Sequence, residues 1–579
     1  MKRLLLAATA LAFVASPLTA GPVEDYEQLR EDVWEDMLDD SPTLATSVGD
    51  RRGDGKLGDM SMAAYEENIA EDRAFLARLN AIDESALPED LRVDYAILKS
   101  SLEDGLESAQ FAQDRYILFT NRGGWFTYFA SLPYSSPLFT LADYESYVAR
   151  LEAFGAMNEA GLARSREAVA RGLTQACEPM EGFENQVSGQ IDGQPNESPF
   201  WRPFAERPST ISEGEWEALR ERARAALTNV VFPAYRDFLD FYRDEYAPKC
   251  RTGLPGISET EGGDDYYAYR VRSYTTTDMT AEEIHNLGLA EVARIQDEMR
   301  GIMKQVGFEG TLKEFFDFTR TDPQFFKPNT PEGKAEYLDE ATTWIDQMRE
   351  DLPTVFNTFP KADMIVKAVE PFREKSAGKA FYSRPAPDGS RPGTYYANLY
   401  RMQDMPTYQM QALAFHEGIP GHHMQIAIAQ ELTGVPKFRK YGGFTAFVEG
   451  WGLYSEYLPK EMGYYSDPYD DFGRLAMEIW RAARLVVDTG IHDQHWTREQ
   501  AIQYLMDNTP NPEGDCRKAI ERYIVMPGQA TAYKIGMNKI IALREKTKAE
   551  LGDKFDIREF HDVVLKDGAV PLNILEENV

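Results

Sequence analysis

Helical periodicity dominates the first half of the chain. In the segments YEENIAEDRAFLARLNAI and EWEALRERARAALTNVVFPAYRDFLDFYRDEYA, apolar residues recur at intervals of three and four. This spacing places them on one face of an α-helix. Most of the chain between residues 24 and 250 has the same pattern. We therefore expect a mostly α-helical fold.

Two segments rich in glycine and proline interrupt this pattern, DGQPNESPFWRPF (192–204) and GLPGISETEGGDD (253–265). Such compositions favour loops. After the second segment, Thr277 and Asp278 have the character of helix-capping residues and strong helix formers follow. We predict an N-terminal helical half (21–252) and a C-terminal catalytic half (253–579), which intertwine as one domain.

The clearest strand pattern is GTYYANLY (393–400), which is rich in aromatic residues and follows a turn-forming segment. A helix begins near Thr407 and runs into FHEGIPGHHMQ (415–425). In zinc peptidases, a strand before the metal-ligand helix often pairs its edge with an extended peptide. We therefore predict substrate contacts for Tyr395 and Tyr396. The alternative is a strand packed against the core.

Three of the seven histidines fall within eight positions, and Glu417 follows the first of them. A zinc hydrolase usually has the pattern HExxH, but here Pro420 stands four residues after His416. Proline lacks an N–H group and interrupts a helix, so we expect a bulge that returns His422 to the face of His416. In a regular helix, His423 would lie only about 20° from that face. His422 is the preferred metal ligand and His423 the alternative.

A carboxylate directly after the first histidine can act as the general base of a zinc hydrolase, which is the role we predict for Glu417. The alternative is a polar helix end with solvated histidines. Glu449 lies within the apolar segment GGFTAFVEGWGLYSEYL (442–458). A buried carboxylate needs a cation or hydrogen bonds, so Glu449 is the candidate third ligand of one zinc ion. Glu456 is an alternative ligand or a partner of one.

The chain has 62 basic and 95 acidic residues, a formal charge of −33. This charge repels nucleic acid and anionic membrane surfaces, so we expect neither as a partner. Residues 1–20 (MKRLLLAATALAFVASPLTA) have the layout of a signal peptide, and their apolar run is too short to span a bilayer. No cysteine stands directly after them, at the expected cleavage point, so we expect no lipid anchor. We predict export, most simply to a bacterial periplasm.

The three cysteines are Cys177, Cys250 and Cys516. They are too few and too scattered for a disulfide framework or a cysteine-ligated zinc site. An oxidising compartment permits a Cys177–Cys250 bridge without requiring it.

Five motifs together resemble one known family. They are HEGIPGHH, EGWGLYSE and RYIVMPGQATAYKIG, with RPGTYY and TTTDMTAEEIHNLGLAEVARI upstream. In this order they resemble the bacterial domain of unknown function (DUF) 885 proteins over nearly the whole chain after residue 20. The resemblance implies a large helical fold like that of zinc metallopeptidases. Such a fold has a deep central cleft, zinc at its floor and a small β element beside the metal-ligand helix.

Residue by residue, the resemblance makes His416 and His422 ligands, Glu417 the general base and Glu449 the third ligand. Leu453 stands four residues after Glu449, where related peptidases often hold an acidic residue that orients a histidine ligand. The acid that orients a histidine is therefore not evident from the motif.

Three more residues are candidates for the cleft. Tyr533 is our first choice as the donor to the substrate oxyanion, on the strength of the resemblance. His492 is a second donor or a core histidine. Arg522 binds a substrate carboxylate or forms an ordinary helix salt bridge.

The predicted function is that of an exported zinc metallopeptidase that hydrolyses short peptides, of the carboxypeptidase or oligopeptidase type. Two alternatives remain open: a periplasmic peptide-binding or assembly protein with a degenerate metal site, and a zinc hydrolase of a non-peptide amide or ester.

Overall fold

A computed structural model describes residues 21–371, 374, 377–386, 389 and 391–579. The predicted signal peptide, residues 1–20, lies outside them. The described chain is mostly helical with one small sheet, which confirms the predicted fold class.

Residues 21–275 form twelve α-helices. They are α1 (Pro22–Asp40), α2 (Pro42–Ser47), α3 (Met62–Asn80), α4 (Glu89–Ser108), α5 (Ala112–Tyr116), α6 (Trp125–Ala130), α7 (Leu132–Ser135), α8 (Leu141–Ala170), α9 (Glu184–Ser188), α10 (Glu213–Ala226), α11 (Phe232–Phe241) and α12 (Gly263–Thr275).

The described residues after position 275 form thirteen more. They are α13 (Ala281–Gln305), α14 (Leu312–Thr321), α15 (Pro331–Asp351), α16 (Met410–Glu417), α17 (His422–Glu431), α18 (Lys437–Tyr441), α19 (Thr445–Glu461), α20 (Pro468–His492), α21 (Arg498–Asn508), α22 (Glu513–Val525), α23 (Ala532–Leu551), α24 (Ile557–Leu565) and α25 (Leu572–Asn578).

Reciprocal caps fix several helix starts. The helix predicted to begin at Thr277 and Asp278 instead begins at Ala281. Its cap is Thr280, whose hydroxyl accepts a hydrogen bond from the N–H of Glu283 while the Glu283 carboxylate accepts one from the N–H of Thr280. This capping box satisfies two backbone donors, which explains why the start lies three residues later than predicted.

The sheet has three strands, β1 (Met364–Ala368), β2 (Ala380–Ser383) and β3 (Gly393–Ala397). Their spatial order is β1-β3-β2. The β1–β3 pair is parallel and the β2–β3 pair is antiparallel. The predicted strand therefore exists as β3, but it is the central strand and both of its edges are paired.

Two glycine contacts allow close packing of helices in the second half of the chain. A Cβ at Gly450 of α19 would lie 2.5 Å from the backbone of Gly536 in α23. A Cβ at Gly288 of α13 would lie 2.7 Å from the Leu485 side chain of α20. The helix backbones can approach this closely only because no side chain separates them.

Residues from both predicted halves share one apolar core, in which Ile97 of α4, Tyr266 of α12 and Tyr454 of α19 are all buried. This sharing agrees with an intertwined arrangement, and the division at residue 252 stays a prediction.

Cys177 and Cys250 form a disulfide, and Cys516 is a buried free thiol. Along residues 21–579, apart from the seven positions not described, no helix is both long and apolar enough to span a membrane.

Candidate metal centre

The histidine motif breaks the helix into two. Helix α16 ends at Glu417 and α17 begins at His422, so the predicted bulge is a four-residue interruption. Within it, the N–H of Gly421 donates to the carbonyl oxygen of Phe415 (2.9 Å). A Cβ at Gly421 would lie 2.0 Å from the carbonyl oxygen of His416. The interruption therefore requires glycine at this position.

The break brings three candidate ligands together. Oε2 of Glu449 lies 3.8 Å from Nε2 of His416 and 3.7 Å from Nε2 of His422. The centroids of the two imidazole rings are 4.6 Å apart, and the ring planes are nearly perpendicular. All three ligand atoms lie within 4.8 Å of one another. Two imidazole nitrogens and a glutamate oxygen form the donor set of many catalytic zinc sites, so these residues fit a divalent cation.

His423 points away from this cluster. Its Nδ1 lies 2.9 Å from the hydroxyl of Tyr382, and its Nε2 lies 3.1 Å from the carbonyl oxygen of Ala362. Both ring nitrogens therefore have partners at the sheet. Of the two histidines left open by the sequence, the structure places His422 beside the other ligands.

Glu456 lies behind the candidate ligand His416. Its Oε1 is 2.8 Å from Nδ1 of His416 and 3.5 Å from Nη2 of Arg481. With Glu456 ionised, Nδ1–H donates to the carboxylate and the lone pair of Nε2 faces Glu449. Glu456 thus orients a ligand instead of joining the cluster. It stands three residues after Leu453, the position where the resemblance implied such an acid.

Burial sets the protonation of the cluster. It lowers the pKa of His416 to about 3 and that of His422 to about 4, so both imidazoles are neutral and able to bind a cation. Burial, together with the nearby charge of Glu449, raises the pKa of Glu417 to about 8, against the opposing effect of Arg481. A carboxyl group with a pKa in this range can exchange a proton near neutral pH.

These groups line a cavity of about 650 Å³. Glu417 is on its wall beside His416, and Arg522 and Tyr533 border the same cavity. Nη2 of Arg522 lies 3.3 Å from the hydroxyl oxygen of Tyr533. The structure therefore brings both of these predicted residues to the cleft.

Strand β2, not β3, borders the cavity with its outer edge. The N–H of Asn398 donates to the carbonyl oxygen of Lys379 (2.9 Å). Because hydrogen-bonding groups alternate in direction along an antiparallel strand, the backbone groups of Ala380 and Tyr382 face away from β3. Residues 378–382 line the cavity.

The predicted substrate contacts of Tyr395 and Tyr396 are corrected by this arrangement. Both lie on the central strand, which offers no edge to a peptide, and neither lines the cavity. Tyr395 is fully buried, and the ring of Tyr396 stacks on that of Phe381 with centroids 4.9 Å apart.

The prediction for His492 as a donor in the cleft is also corrected. Its Nδ1 accepts a hydrogen bond from the N–H of Ile257 (2.9 Å), and its Nε2 lies 2.9 Å from the carbonyl oxygen of Tyr523. The side chain is fully buried and does not border the cavity. His492 is the core histidine of the two alternatives.

The sequence did not indicate that Arg481 and Arg484 of α20 line the cavity. The available signal was a pair of arginines three residues apart within the otherwise apolar run IWRAARLVV.

A family model described as "Bacterial protein of unknown function (DUF885)" matches residues 42–579. The chain belongs to this DUF885 family. The match confirms the family resemblance, whereas the zinc-peptidase activity that the resemblance implied stays a prediction. No curated protein matches the chain.

Two solved structures resemble this DUF885 protein. A crystal structure described as a "putative lipoprotein" from Colwellia psychrerythraea has a TM-score of 0.90 and 29% identity, covering 96% of this chain and 99% of its own. A "putative lipoprotein of unknown function" from Shewanella oneidensis has a TM-score of 0.69 and 20% identity, covering 95% and 99%. The second likeness concerns the fold alone.

Proposed function

We propose that this protein is an exported zinc-dependent hydrolase of short peptides. One observation carries the proposal: His416, His422 and Glu449 converge in a cavity that also contains Glu417. Two buried, neutral imidazoles beside the partly exposed carboxylate of Glu449 form the donor set of many catalytic zinc sites.

His416, His422 and Glu449 would hold the ion. When bound, zinc supplies Lewis-acid polarisation of a carbonyl group and activation of a water molecule. Glu417 would accept the proton of the attacking water and deliver it to the leaving amine. The Tyr533 hydroxyl, with Arg522 beside it, would donate a hydrogen bond to the oxygen that gains negative charge.

The edge of β2 supports a peptide as the substrate. The backbone groups of Ala380 and Tyr382 face away from β3, and both residues line the cavity. An extended peptide can add to such an edge through main-chain hydrogen bonds. A cavity of about 650 Å³ is of the size that holds a small ligand, which favours short peptides.

Export is supported by the signal-type segment at residues 1–20 and by the lipoprotein description of the Colwellia psychrerythraea neighbour. We therefore propose that the protein acts in the periplasm.

Digestion of a peptide library by protein purified without chelator tests this function. We expect cleavage that a chelator stops and added zinc restores. Glu417→Gln should lower turnover by about 10²–10⁴-fold while holding the same amount of metal. Glu461→Gln is the matched control, because this half-exposed carboxylate on α19 pairs with Arg544.

Two outcomes would replace the proposal. Metal-free protein that captures peptides without cleaving them would indicate a binding protein. Cleavage of amide or ester probes, with every peptide left intact, would indicate a hydrolase of another substrate class.

A further inference from the structure

The cavity wall beyond the metal centre is basic, although the whole chain carries a charge of −33. Arg481 and Arg484 of α20 and Arg522 of α22 all border the cavity. Arg481 has a carboxylate partner in Glu456. The other two arginines do not.

Arg484 is a buried cation without a counter-charge. Its side chain is only 7% exposed, and Nε and Nη1 have no hydrogen-bond partner among the described residues. Its guanidinium lies over the ring of Tyr533, 4.4 Å from the ring centroid. Within the described part of the chain, no carboxylate forms an ion pair with it.

Arg522 completes the group from the neighbouring helix. Its Nη2 contacts two neutral oxygens, Oε1 of Gln529 and the hydroxyl of Tyr533. It has no ion pair among the described residues either. The two guanidinium groups therefore contact the same tyrosine from different sides.

The other buried arginines among the described residues have polar partners, either carboxylates or backbone carbonyl oxygens. Arg474 pairs with Asp471 (2.9 Å) and Glu478 (3.1 Å), and Arg439 pairs with Asp94. Arg484 differs from them because its Nε and Nη1 have no partner in the described part of the chain. Burying an unpaired charge is costly, so an anion in the cavity would stabilise it.

The anion must lie near the metal centre. Arg484 and Arg522 line the same cavity as His416 and Glu449. A ligand that reaches Arg484 therefore also reaches the cluster around His416.

We propose that Arg484 and Arg522, with Tyr533 between them, bind the free α-carboxylate at the C-terminus of a peptide substrate. Arginine suits this task because its planar fork can donate two parallel hydrogen bonds to a carboxylate. The inference rests on the proposed function and makes the protein an enzyme that trims peptides from the C-terminal end. Hydrolysis then breaks one C–N bond near that end, with OH of water added to the carbonyl carbon and H to the released amine.

Three versions of one N-acetylated peptide test the proposal: the free acid, the C-terminal amide, and an amide whose last residue is glutamate. With zinc-loaded protein, we expect kcat/KM for the acid to exceed that for the plain amide by about 100-fold or more, because the site's charges stay unpaired without the carboxylate. Equal rates for acid and amide, or a preference for the glutamate amide, would overturn the proposal.

Variants of Arg484 test whether the preference for the free acid depends on this residue. Arg484→Met should lower kcat/KM for the acid much more than for the amide and so remove most of the acid preference, and Arg484→Lys should restore part of it. Lys518→Met is the matched control, because it removes an exposed positive charge from the same cavity and should keep the preference.

Binding measurements separate this proposal from the proposed function. Fluorescence anisotropy of labelled acid and amide peptides on Glu417→Gln reports recognition without turnover. Tighter binding of the acid, with no cleavage by the natural protein, would reject the peptidase and keep the carboxylate site. Cleavage with equal binding of both peptides would keep the peptidase and reject the site. The Glu417→Gln protein used for these binding measurements keeps both arginines. The comparison therefore tests the proposal even if Arg484→Met fails to fold.

Discussion

Oε1 of Glu456 lies 2.8 Å from Nδ1 of His416, and both side chains are buried. The contact fixes the ring so that Nε2 faces Glu449. Glu456 is itself held by Arg481 (3.5 Å). A carboxylate behind a histidine ligand also makes that histidine a stronger donor to a metal.

Replacing this carboxylate should weaken metal binding without removing a ligand. We expect Glu456→Gln to lower zinc affinity by about 10–100-fold, measured by competition with a chromophoric chelator. Glu461→Gln, five residues further along the same helix, should bind zinc as the natural protein does. Unchanged affinity in Glu456→Gln would show that the contact has no bearing on the metal.

A second prediction concerns Gly452. A Cβ there would lie 2.7 Å from Cε1 and 3.0 Å from Nε2 of His416, so Gly452→Ala must displace the ring. Zinc affinity should fall by at least about tenfold. The free energy of unfolding should change little, because alanine favours a helix by about 1 kcal/mol over glycine, which offsets the cost of moving the ring.

The matched control for that variant lies two residues earlier on the same helix. A Cβ at Gly450 meets the backbone of Gly536, not an imidazole. Gly450→Ala should lower the free energy of unfolding by about 1–3 kcal/mol through overpacking and leave zinc affinity intact. Equal effects of the two variants on zinc affinity would contradict this assignment.

The pH dependence of metal binding follows from the buried imidazoles. Protons and metal compete for the same ring nitrogens, and ordinary histidines lose the metal as pH falls below 6.5, by about tenfold per imidazole per pH unit. Here the pKa of His416 is about 3 and that of His422 is about 4. Cobalt titrations should therefore show retention of the metal to a pH well below 6.5, with release toward pH 4. Half-release near pH 6.5 would contradict the burial argument.

The local chemistry of the site was predictable from sequence, and its partners across the fold were not. Pro420 and its flanking glycines explained a spacing of six between His416 and His422, because they alter only their own turn. The sequence indicated Glu456 as a possible partner of a ligand. Whether Glu456 binds the metal itself or orients the His416 ring depends on the relative orientation of α19 and α16. This orientation is set by contacts between helices that are distant in sequence.

For the sheet, too, the sequence predicted a local element but not its place in the fold. The pattern GTYYANLY correctly predicted β3, because aromatic and β-branched residues favour strands. The role of its edge was wrong, because strand order is not encoded in the strand itself. Strand β2 has only four residues, Ala380–Ser383, too few for its alternation to be distinctive.

The disulfide offers a test of stability away from the metal. It joins residues 73 apart, so loop closure in the unfolded chain predicts a contribution of about 4 kcal/mol. The double variant Cys177→Ser/Cys250→Ser should unfold at lower denaturant concentration, and the natural protein under reducing conditions should match it. Cys516→Ala, which removes the unpaired thiol, should keep its sensitivity to reductant. An identical midpoint with and without reductant would mean that the bridge contributes nothing.

Zinc content of the His422→Ala and His423→Ala variants, measured side by side by mass spectrometry after equilibration with zinc, tests the metal centre most directly. The two histidines are adjacent in sequence, but only His422 lies beside His416 and Glu449, while His423 contacts Tyr382 and Ala362. We predict about one zinc ion per chain in the natural protein and in His423→Ala, and a near-complete loss in His422→Ala. Zinc retained by His422→Ala and lost from His423→Ala, or no zinc in the natural protein, would contradict the assignment.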